Sequence, residues 1–350
     1  MSLSPHAMLR RAAVLAALVV LALWAWRPHV PQRTELDDGA HRRIVAVGDL
    51  HGDYAHALAV LRAAGVVAAD SADWVGGRDV LVSTGDTVDR GDDTIRIYEL
   101  YQSLREQSVR AGGKVITLLG NHEMMNAMHD WRYVTPGDLA SFGGAAARRH
   151  AMSADGWLGR EWLAHYNATA RVALLPPDAR ASRQYVSFVH GGIAPAFATL
   201  GTERLNELAQ SLLAKALADP APDGYLPANA TKAEAALWSA DGPFWFRGYA
   251  TEGADRACAW AASAAASLGV QALVMGHTPH RGGVVERCER DRIYVIDTGI
   301  SRAYGGKLSA MVIDSYLVPN DAGSGHCTMS LYKALYVGEP SVPLATETRC

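Results

Sequence analysis

The chain has 350 residues, of which 49% are hydrophobic and 20% are charged, and its formal net charge is -3. This is ordinary globular composition, so a disordered or collagen-like chain is excluded, and the length allows one large domain or two smaller ones. Without an excess of positive charge, a protein held on nucleic acid by its overall field is excluded as well.

The first predicted element is a signal anchor with a tether, together spanning residues 1–43. An apolar run from Ala12 to Trp26 follows Arg10 and Arg11, and it ends in bulky Trp residues rather than in the small residues of a cleavage site. We therefore expect an uncleaved anchor, with a cleaved signal peptide as the alternative. The arginines favour a cytoplasmic N-terminus, so the rest of the protein is expected to be membrane-anchored or exported, on the periplasmic or extracytoplasmic side.

Short β-branched runs alternate with helical patterns in the next part of the chain. The order strand, helix, strand, helix, strand between residues 43 and 119 predicts parallel strands with right-handed crossovers. Helical insertions at about residues 124–180 and 200–250 are expected to elaborate one sheet rather than form domains. We assign residues 44–320 to one main domain and 321–350 to a C-terminal strand and tail. The predicted strands cover residues 43–47, 80–84, 114–119, 185–189, 272–275, 292–296 and 309–313.

Polar, glycine-containing clusters directly follow five of these strands. Ligands bind at the carboxyl ends of strands in an open α/β sheet, so the five clusters are expected to converge. Their Asp, His and Asn donors, without a thiolate, suit Mn, Fe or Zn better than Ca, and two such ions about 3.5–4 Å apart can hold a hydroxide for an in-line displacement. One such cluster alone would be an ordinary turn, but five in order are improbable by coincidence. The clusters are Gly48–Asp53, Gly85–Gly91, Gly120–Glu123, His190–Gly192 and Gly276–Thr278.

These motifs carry a family resemblance. Gly-Asp-x-His-Gly from Gly48, Gly-Asp-x-x-Asp-Arg-Gly from Gly85 and Gly-Asn-His-Glu from Gly120 resemble the phosphoprotein phosphatase branch of the calcineurin-like metallophosphoesterases. The resemblance implies an α/β (α+β) fold, in which a central β-sandwich is flanked by helices and carries helical insertions. Segments 131–136, 242–248 and 297–301 look more specifically like the Shewanella-like protein phosphatases.

By this resemblance, six positions would hold two metal ions. Two of them would hold the first ion, one aspartate would bridge the ions, and three would hold the second ion. In that order, the residues are Asp49 and His51, then Asp86, then Asn121, His190 and His277.

The resemblance also implies the other roles. His122 would be the general acid, paired with Asp89. An imidazole can protonate a leaving alkoxide near neutral pH, and a neighbouring carboxylate orients it. Arg90 would bind the phosphate, because its planar fork meets two phosphoryl oxygens at once. Arg247 is the candidate for a second phosphate arginine, and a surface arginine beside aromatic residues is the alternative interpretation of it.

The sequence thus predicts a metal-dependent phosphoester hydrolase, with phosphoprotein phosphatase as the expected activity. A symmetrical dinucleoside tetraphosphate hydrolase is the alternative enzyme, and the anchor prediction argues against it because its substrates are cytoplasmic. A non-catalytic binding protein ranks low, since every matched position is filled. The expected partners are a phosphorylated protein or small phosphoester, and a membrane through the N-terminal apolar segment, but no nucleic acid. Four cysteines permit disulfides and leave their pairing open.

Overall fold

Two β-sheets form the centre of the protein. The computed structural model describes residues 41–218, 224–289, 292–320 and 325–350. The strands of these ranges are β1 (His41–Val47), β2 (Val80–Ser83), β3 (Lys114–Leu118), β4 (Tyr166–Asn167), β5 (Thr169–Ala173), β6 (Tyr185–Val189), β7 (Ala272–Met275), β8 (Val285–Arg287), β9 (Arg292–Val295), β10 (Ser309–Pro319), β11 (His326–Tyr336) and β12 (Val342–Arg349). One sheet has the order β12-β11-β10-β1-β2-β3-β4, and the other has the order β5-β6-β7-β9-β8.

Helices cover the outer faces of both sheets. Within the described ranges they are α1 (Tyr54–Ala63), α2 (Thr94–Arg110), α3 (Asn121–Ala127), α4 (Pro136–Ser141), α5 (Ala145–Ala151), α6 (Trp157–His165), α7 (Pro195–Ala198), α8 (Gly201–Ala218), α9 (Lys232–Leu237), α10 (Gly248–Thr251) and α11 (Ala254–Leu268). The insertion predicted as mostly helical at residues 124–180 holds α4 to α6 and then gives way to the strands β4 and β5.

Alternation along the strands produces the layers. In β1, Ile44 and Ala46 belong to a buried cluster shared with Phe188 of the second sheet, so they face between the sheets. Val45 belongs to a different cluster, which includes Leu61 of α1 and residues of α2. A third cluster joins the outer face of the second sheet to α8 and α11. The result is the expected β-sandwich flanked by helices.

The parallel order predicted for the first three strands is confirmed. β2 pairs in parallel with β1 and with β3. The expectation of a single sheet is wrong, because β6, β7 and β9 form a second parallel group in the other sheet. In the first sheet, the parallel group β1-β2-β3 is flanked by β10 on one side and by β4 on the other. The C-terminal segment forms two strands, β11 and β12, where one was predicted.

The predicted anchor and tether, residues 1–43, lie outside the described residues apart from His41, Arg42 and Arg43. These three residues belong to β1 rather than to a tether, because they continue its pairing with β10, from His41 opposite Tyr316 onwards. Across the described ranges, no helix has both the length and the apolar character needed to cross a membrane. This finding contradicts the expected membrane-anchored or exported location, which we therefore withdraw.

All four cysteines are paired. Cys258 of α11 is bonded to Cys288, which follows β8. Cys327 of β11 is bonded to Cys350 at the end of the chain. These bonds answer the question of pairing that the sequence left open.

The inner layer should dominate stability. Phe188 is fully buried between the two sheets, so Phe188→Ala should lower the free energy of unfolding by about 3–5 kcal/mol through lost burial and a residual cavity. Val109→Ala is the control, because this side chain is 67% exposed and its loss should change stability by about 0.5 kcal/mol or less. Urea unfolding followed by circular dichroism measures both values. Similar losses in the two variants would contradict this account of the core.

Candidate metal centre

The loops that follow β1, β2, β3, β6 and β7 meet at one edge of the molecule. Five of the six predicted metal ligands lie in these loops, and Asn121 is the first residue of α3; each of the six is at most 5% exposed. The structure therefore brings together donors that are far apart in the sequence. They are Asp49, His51, Asp86, Asn121, His190 and His277.

Asp86 lies at the centre of this group. Its Oδ2 is 3.3 Å from Nε2 of His190 and 3.7 Å from Nε2 of His51. The Nε2 of His122 is 3.8 Å from the same oxygen. The other oxygen, Oδ1, accepts the backbone N–H of His122 at 2.9 Å. One carboxylate thus faces imidazoles from three different segments of the chain, two loops and the helix α3.

Two sets of potential ligands share Asp86. His51, Asp86 and His122 form one set, and Asp86, His190 and His277 form the other, with the ligand atoms of each set within 4.8 Å of one another. Oδ1 of Asn121 is 2.8 Å from Nε2 of His190 and so adds an amide oxygen to the second set. The second set agrees with the predicted second site, whereas the first set contains His122 where Asp49 was predicted.

Asp49 lies next to these sets. Its two carboxylate oxygens accept the backbone N–H of His277 at 3.2 and 3.1 Å. This contact ties the loop after β1 to the loop after β7. Asp49 belongs to neither of these two sets, and in this structure a backbone amide occupies its oxygens.

Backbone carbonyls set the orientation of two imidazoles. Nδ1 of His51 is 3.1 Å from the carbonyl oxygen of Val88, and Nδ1 of His190 is 3.0 Å from that of Thr84. A carbonyl can only accept, so each Nδ1 carries the hydrogen. In each ring, Nε2 is then the nitrogen that remains to bind a metal.

Glu123 is a buried residue to which the sequence analysis gave no role. Its carboxylate accepts the backbone N–H groups of Asp86 at 2.9 Å, Thr87 at 2.7 Å and Gly120 at 2.7 Å. It also accepts the hydroxyl of Tyr98 at 3.0 Å. Glu123 therefore holds the loop that carries Asp86. Its place in the Gly-Asn-His-Glu string was the signal that could have identified it.

Asp297 is a second residue that the sequence analysis missed. Burial raises its pKa to about 6, and the charge of Asp86 adds to the effect. Burial, then the charges of Asp297 and Asp86, also raises the pKa of Asp49 well above its usual range. Asp297 comes just after β9, as the other clusters come after their strands, and this position could have identified it.

The electrostatics of the centre fit bound cations. Burial lowers the pKa of His51 to about 3 and that of His277 to about 2, so both imidazoles are neutral and can act as ligands. For Asp86, burial opposes ionisation, but the charges of His190 and His122 outweigh it and lower the pKa well below the usual range. Buried carboxylates beside neutral imidazoles leave negative charge that divalent ions would offset. A set of N and O donors without a thiolate fits such ions.

His122 and Asp89 form the expected dyad. Nδ1 of His122 is 2.6 Å from Oδ2 of Asp89, and both side chains are buried. Burial lowers the pKa of His122, but the charge of Asp86 and the hydrogen bond to Asp89 outweigh it and raise the pKa above the usual value. The ring can therefore carry a proton on Nε2, which points toward the centre.

The two predicted phosphate arginines have different surroundings. The guanidinium of Arg90 lies 4.2 Å from the ring centroid of Tyr133 and 5.0 Å from that of Tyr304. Two aromatic faces thus hold it beside the centre. Arg247 donates from Nη1 to the carbonyl oxygen of His277 at 2.7 Å, so it lies at the edge of the same centre. Arg247 is nevertheless exposed, as the surface alternative expects, and its role stays a prediction.

The backbone of the site is strained. Several of its residues other than glycine have positive φ values, including His51 at 45°, Asp86 at 50° and His277 at 65°. This conformation costs about 1–2 kcal/mol for a residue with a Cβ, and such residues concentrate at functional sites. Gly52 and Gly91 meet where two of the loops cross, because a Cβ on Gly52 would lie 2.7 Å from the carbonyl carbon of Gly91.

Comparisons of sequence agree with this geometry. Residues 42–281 match the family described as calcineurin-like phosphoesterase. An uncharacterized protein of Schizosaccharomyces pombe is 38% identical over 299 residues, which cover 85% of this chain and 81% of that protein. Shewanella-like protein phosphatase 2 of Arabidopsis thaliana is 29% identical over 302 residues, covering 74% of this chain and 72% of that one.

A comparison of structures gives the same architecture. A cold-active protein-tyrosine phosphatase of a psychrophilic Shewanella species superposes with a TM-score of 0.65 at 22% identity, covering 91% of this chain and 89% of that chain. At this level of identity, the similarity concerns the fold.

The role found for Glu123 can be tested directly. Glu123→Gln replaces an oxygen that accepts N–H groups with an amide that donates, and leaving one buried donor unpaired costs about 1–3 kcal/mol. We expect less metal bound per chain and lower phosphatase activity. Glu99→Gln on the exposed side of α2 is the control and should change neither. Metal analysis of the purified variants decides the matter, and a Glu123→Gln protein with full metal content and activity would refute the role.

Proposed function

The chain belongs to the calcineurin-like phosphoesterase family and is a metal-dependent phosphatase, and from this premise we propose that it removes phosphate from phosphorylated proteins. The observation that carries the proposal is the position of Asp86 between two sets of ligands and next to the His122–Asp89 dyad. Hydrolysis of a phosphoester on a protein side chain requires a nucleophile and a proton donor that act on the same phosphate group.

Relatives named as protein phosphatases support the protein substrate. No feature of the site favours the alternative, a dinucleoside tetraphosphate hydrolase. The argument from a membrane anchor no longer counts against that alternative, so the choice between them rests on these relatives and on the experiment below.

We assign the metal ligands as the resemblance implied. Asp86 would be shared by both ions, Asp49 and His51 would complete the first site, and three residues would complete the second: Asn121, His190 and His277. When bound, two ions of Mn, Fe or Zn supply an activated water nucleophile and neutralise the charge on the phosphoryl group. The mixed N and O donors support these metals over Ca.

The remaining steps belong to the protein. Arg90, held between two tyrosine rings, would bind and orient two phosphoryl oxygens, and Arg247 would contribute a second cation from beside His277. His122 would donate the proton on Nε2 to the leaving oxygen, while Asp89 holds its Nδ1–H. Positioning and neutralised charge carry most of the rate in phosphoryl transfer, so a site of this composition suffices.

The first test of the proposal combines metals and substrates. We expect the purified protein to contain two metal ions per chain and to release phosphate from phosphopeptides. Chelation should abolish this activity, and added Mn²⁺ should restore it, because the buried carboxylates need the cations. Asp86→Asn should retain the fold and lose both metal and activity.

The same assay distinguishes the substrates. The value of kcat/KM for a phosphopeptide should exceed that for a symmetrical dinucleoside tetraphosphate. The reverse order would replace the proposed substrate with the alternative. Full activity in metal-free protein would rule out the proposed chemistry altogether.

The second test concerns the proton donor. An alkoxide leaving group needs a proton in the transition state, whereas p-nitrophenolate can leave with little protonation. His122→Asn should therefore lower kcat on an alkyl phosphoester by about 10²–10⁴-fold and lower it much less on p-nitrophenyl phosphate. His150→Asn, an exposed histidine of α5, is the control.

Metal content must be measured alongside these rates, because Nε2 of His122 also lies near the first ligand set. A loss of metal in His122→Asn would make this residue a ligand. If kcat falls equally on both substrates while the metal is retained, His122 is not the proton donor.

A further inference from the structure

Arg148 is a fully buried cation behind the dyad, and nothing in the motifs accounts for it. It lies on α5 and is 0% exposed. Its Nε donates to Oδ2 of Asp138 at 2.8 Å, and its Nη1 donates to Oδ1 of Asn126 at 2.6 Å. Its Nη2 lies 3.5 Å from Oδ1 of Asp89. Each nitrogen of the guanidinium thus faces a different side chain.

Both oxygens of Asp89 are constrained as a result. Oδ2 is shared between Nδ1 of His122 at 2.6 Å and Nδ2 of Asn126 at 3.0 Å. Oδ1 faces only Arg148 among the described residues, as an ion pair somewhat longer than a hydrogen bond. Rotation of the carboxylate would break contacts on both sides. The direction of the His122 ring therefore depends on Arg148 and Asn126.

We propose that Arg148 is a positioning residue that fixes Asp89 and, through it, aims the His122 ring at the leaving oxygen. This inference rests on the roles proposed above for the dyad. Arg148 itself touches neither the centre nor a substrate placed there. Its effect passes through Asp89 directly and through Asn126, which also donates to the backbone carbonyl of His122 at 2.9 Å.

The surroundings of Arg148 favour this role. The guanidinium lies 5.1 Å from the ring centroid of Trp131 and 5.5 Å from that of Phe142. These rings exclude water, and charged contacts are stronger and less screened where water is absent. Asp138 holds the far side of the guanidinium, and its own backbone N–H is bonded to the Thr135 hydroxyl at 3.0 Å. The helices α4 and α5 therefore hold Arg148 in place beside Asp89 of the dyad.

An arginine is required by this geometry. Three contacts leave the guanidinium in three directions within one plane, and the fork is preorganised for them. A lysine keeps the charge but concentrates it on one ammonium group, so it cannot meet Asp89, Asn126 and Asp138 together. Arg148→Lys thus retains the buried charge while it removes the positioning.

The experiment compares Arg148→Lys with the unmodified protein on the two substrate types. We expect kcat on an alkyl phosphoester to fall by about tenfold or more, a part of the general-acid contribution, with KM and the rate on p-nitrophenyl phosphate close to unchanged. In the His122→Asn background, Arg148→Lys should cost nothing further, because its effect acts through His122. Arg105→Lys is the matched control, since Arg105 also binds a carboxylate, Glu161 at 2.6 Å, but lies away from the dyad.

Several outcomes would overturn the inference. If Arg148→Lys lowers kcat equally on both substrates, or if its loss of kcat adds to that of His122→Asn, Arg148 has only a structural role. If kcat does not change, Arg148 has no role in the reaction. If Arg148→Lys does not fold, Asn126→Ala takes its place, and the same selective loss is required of it. This change removes one contact of Asp89 and one of Arg148, but it leaves the ion pairs of Arg148 with Asp89 and Asp138. A selective defect in His122→Asn without one in Arg148→Lys would refute this inference and leave the proposed function intact. An unmodified protein without metal-dependent hydrolysis would refute the function itself.

Discussion

Burial of negative charge at one edge of the sandwich is the constraint on which the site depends. A carboxylate out of water is costly unless partners compensate it, and the carboxylates here differ in how far they are compensated. Glu123 is satisfied by backbone N–H groups, and Asp86 by imidazoles. Asp49 and Asp297 are left with raised pKa values. The remaining negative charge makes this edge a place for cations, and the dyad and the arginines are arranged around it.

The sequence revealed this edge because its residues follow strands directly. Asp49, Asp86 and Asn121 each come within a few residues of a β-branched run, and parallel strands bring such positions together without further information. His190 and His277 follow the same rule in the second sheet. The rule depends only on local pattern and strand direction, so it remained valid although the strands were divided between two sheets rather than one.

Features that depend on long-range packing could not be predicted from local sequence patterns. Arg148 stands beside Arg149 in a run of alanines, and nothing local distinguishes the buried arginine from its exposed neighbour. Which face of α5 turns inward depends on contacts with residues from other segments, such as Asp89 and Asn126. The pairing of the cysteines and the assignment of strands to two sheets depend on the same kind of contact. Asp297 differs from these, because its position after a strand was visible and only its use was missed.

The contact between Gly52 and Gly91 has a consequence for how this protein can vary. The two glycines belong to different motifs, but their backbones touch, and a side chain on either one would push the loop of the other away from the centre. A substitution at one position therefore has no compensating substitution at the other, since glycine is already the smallest residue. Sequence change that adapts this enzyme to new substrates or temperatures is therefore expected outside this pair of glycines.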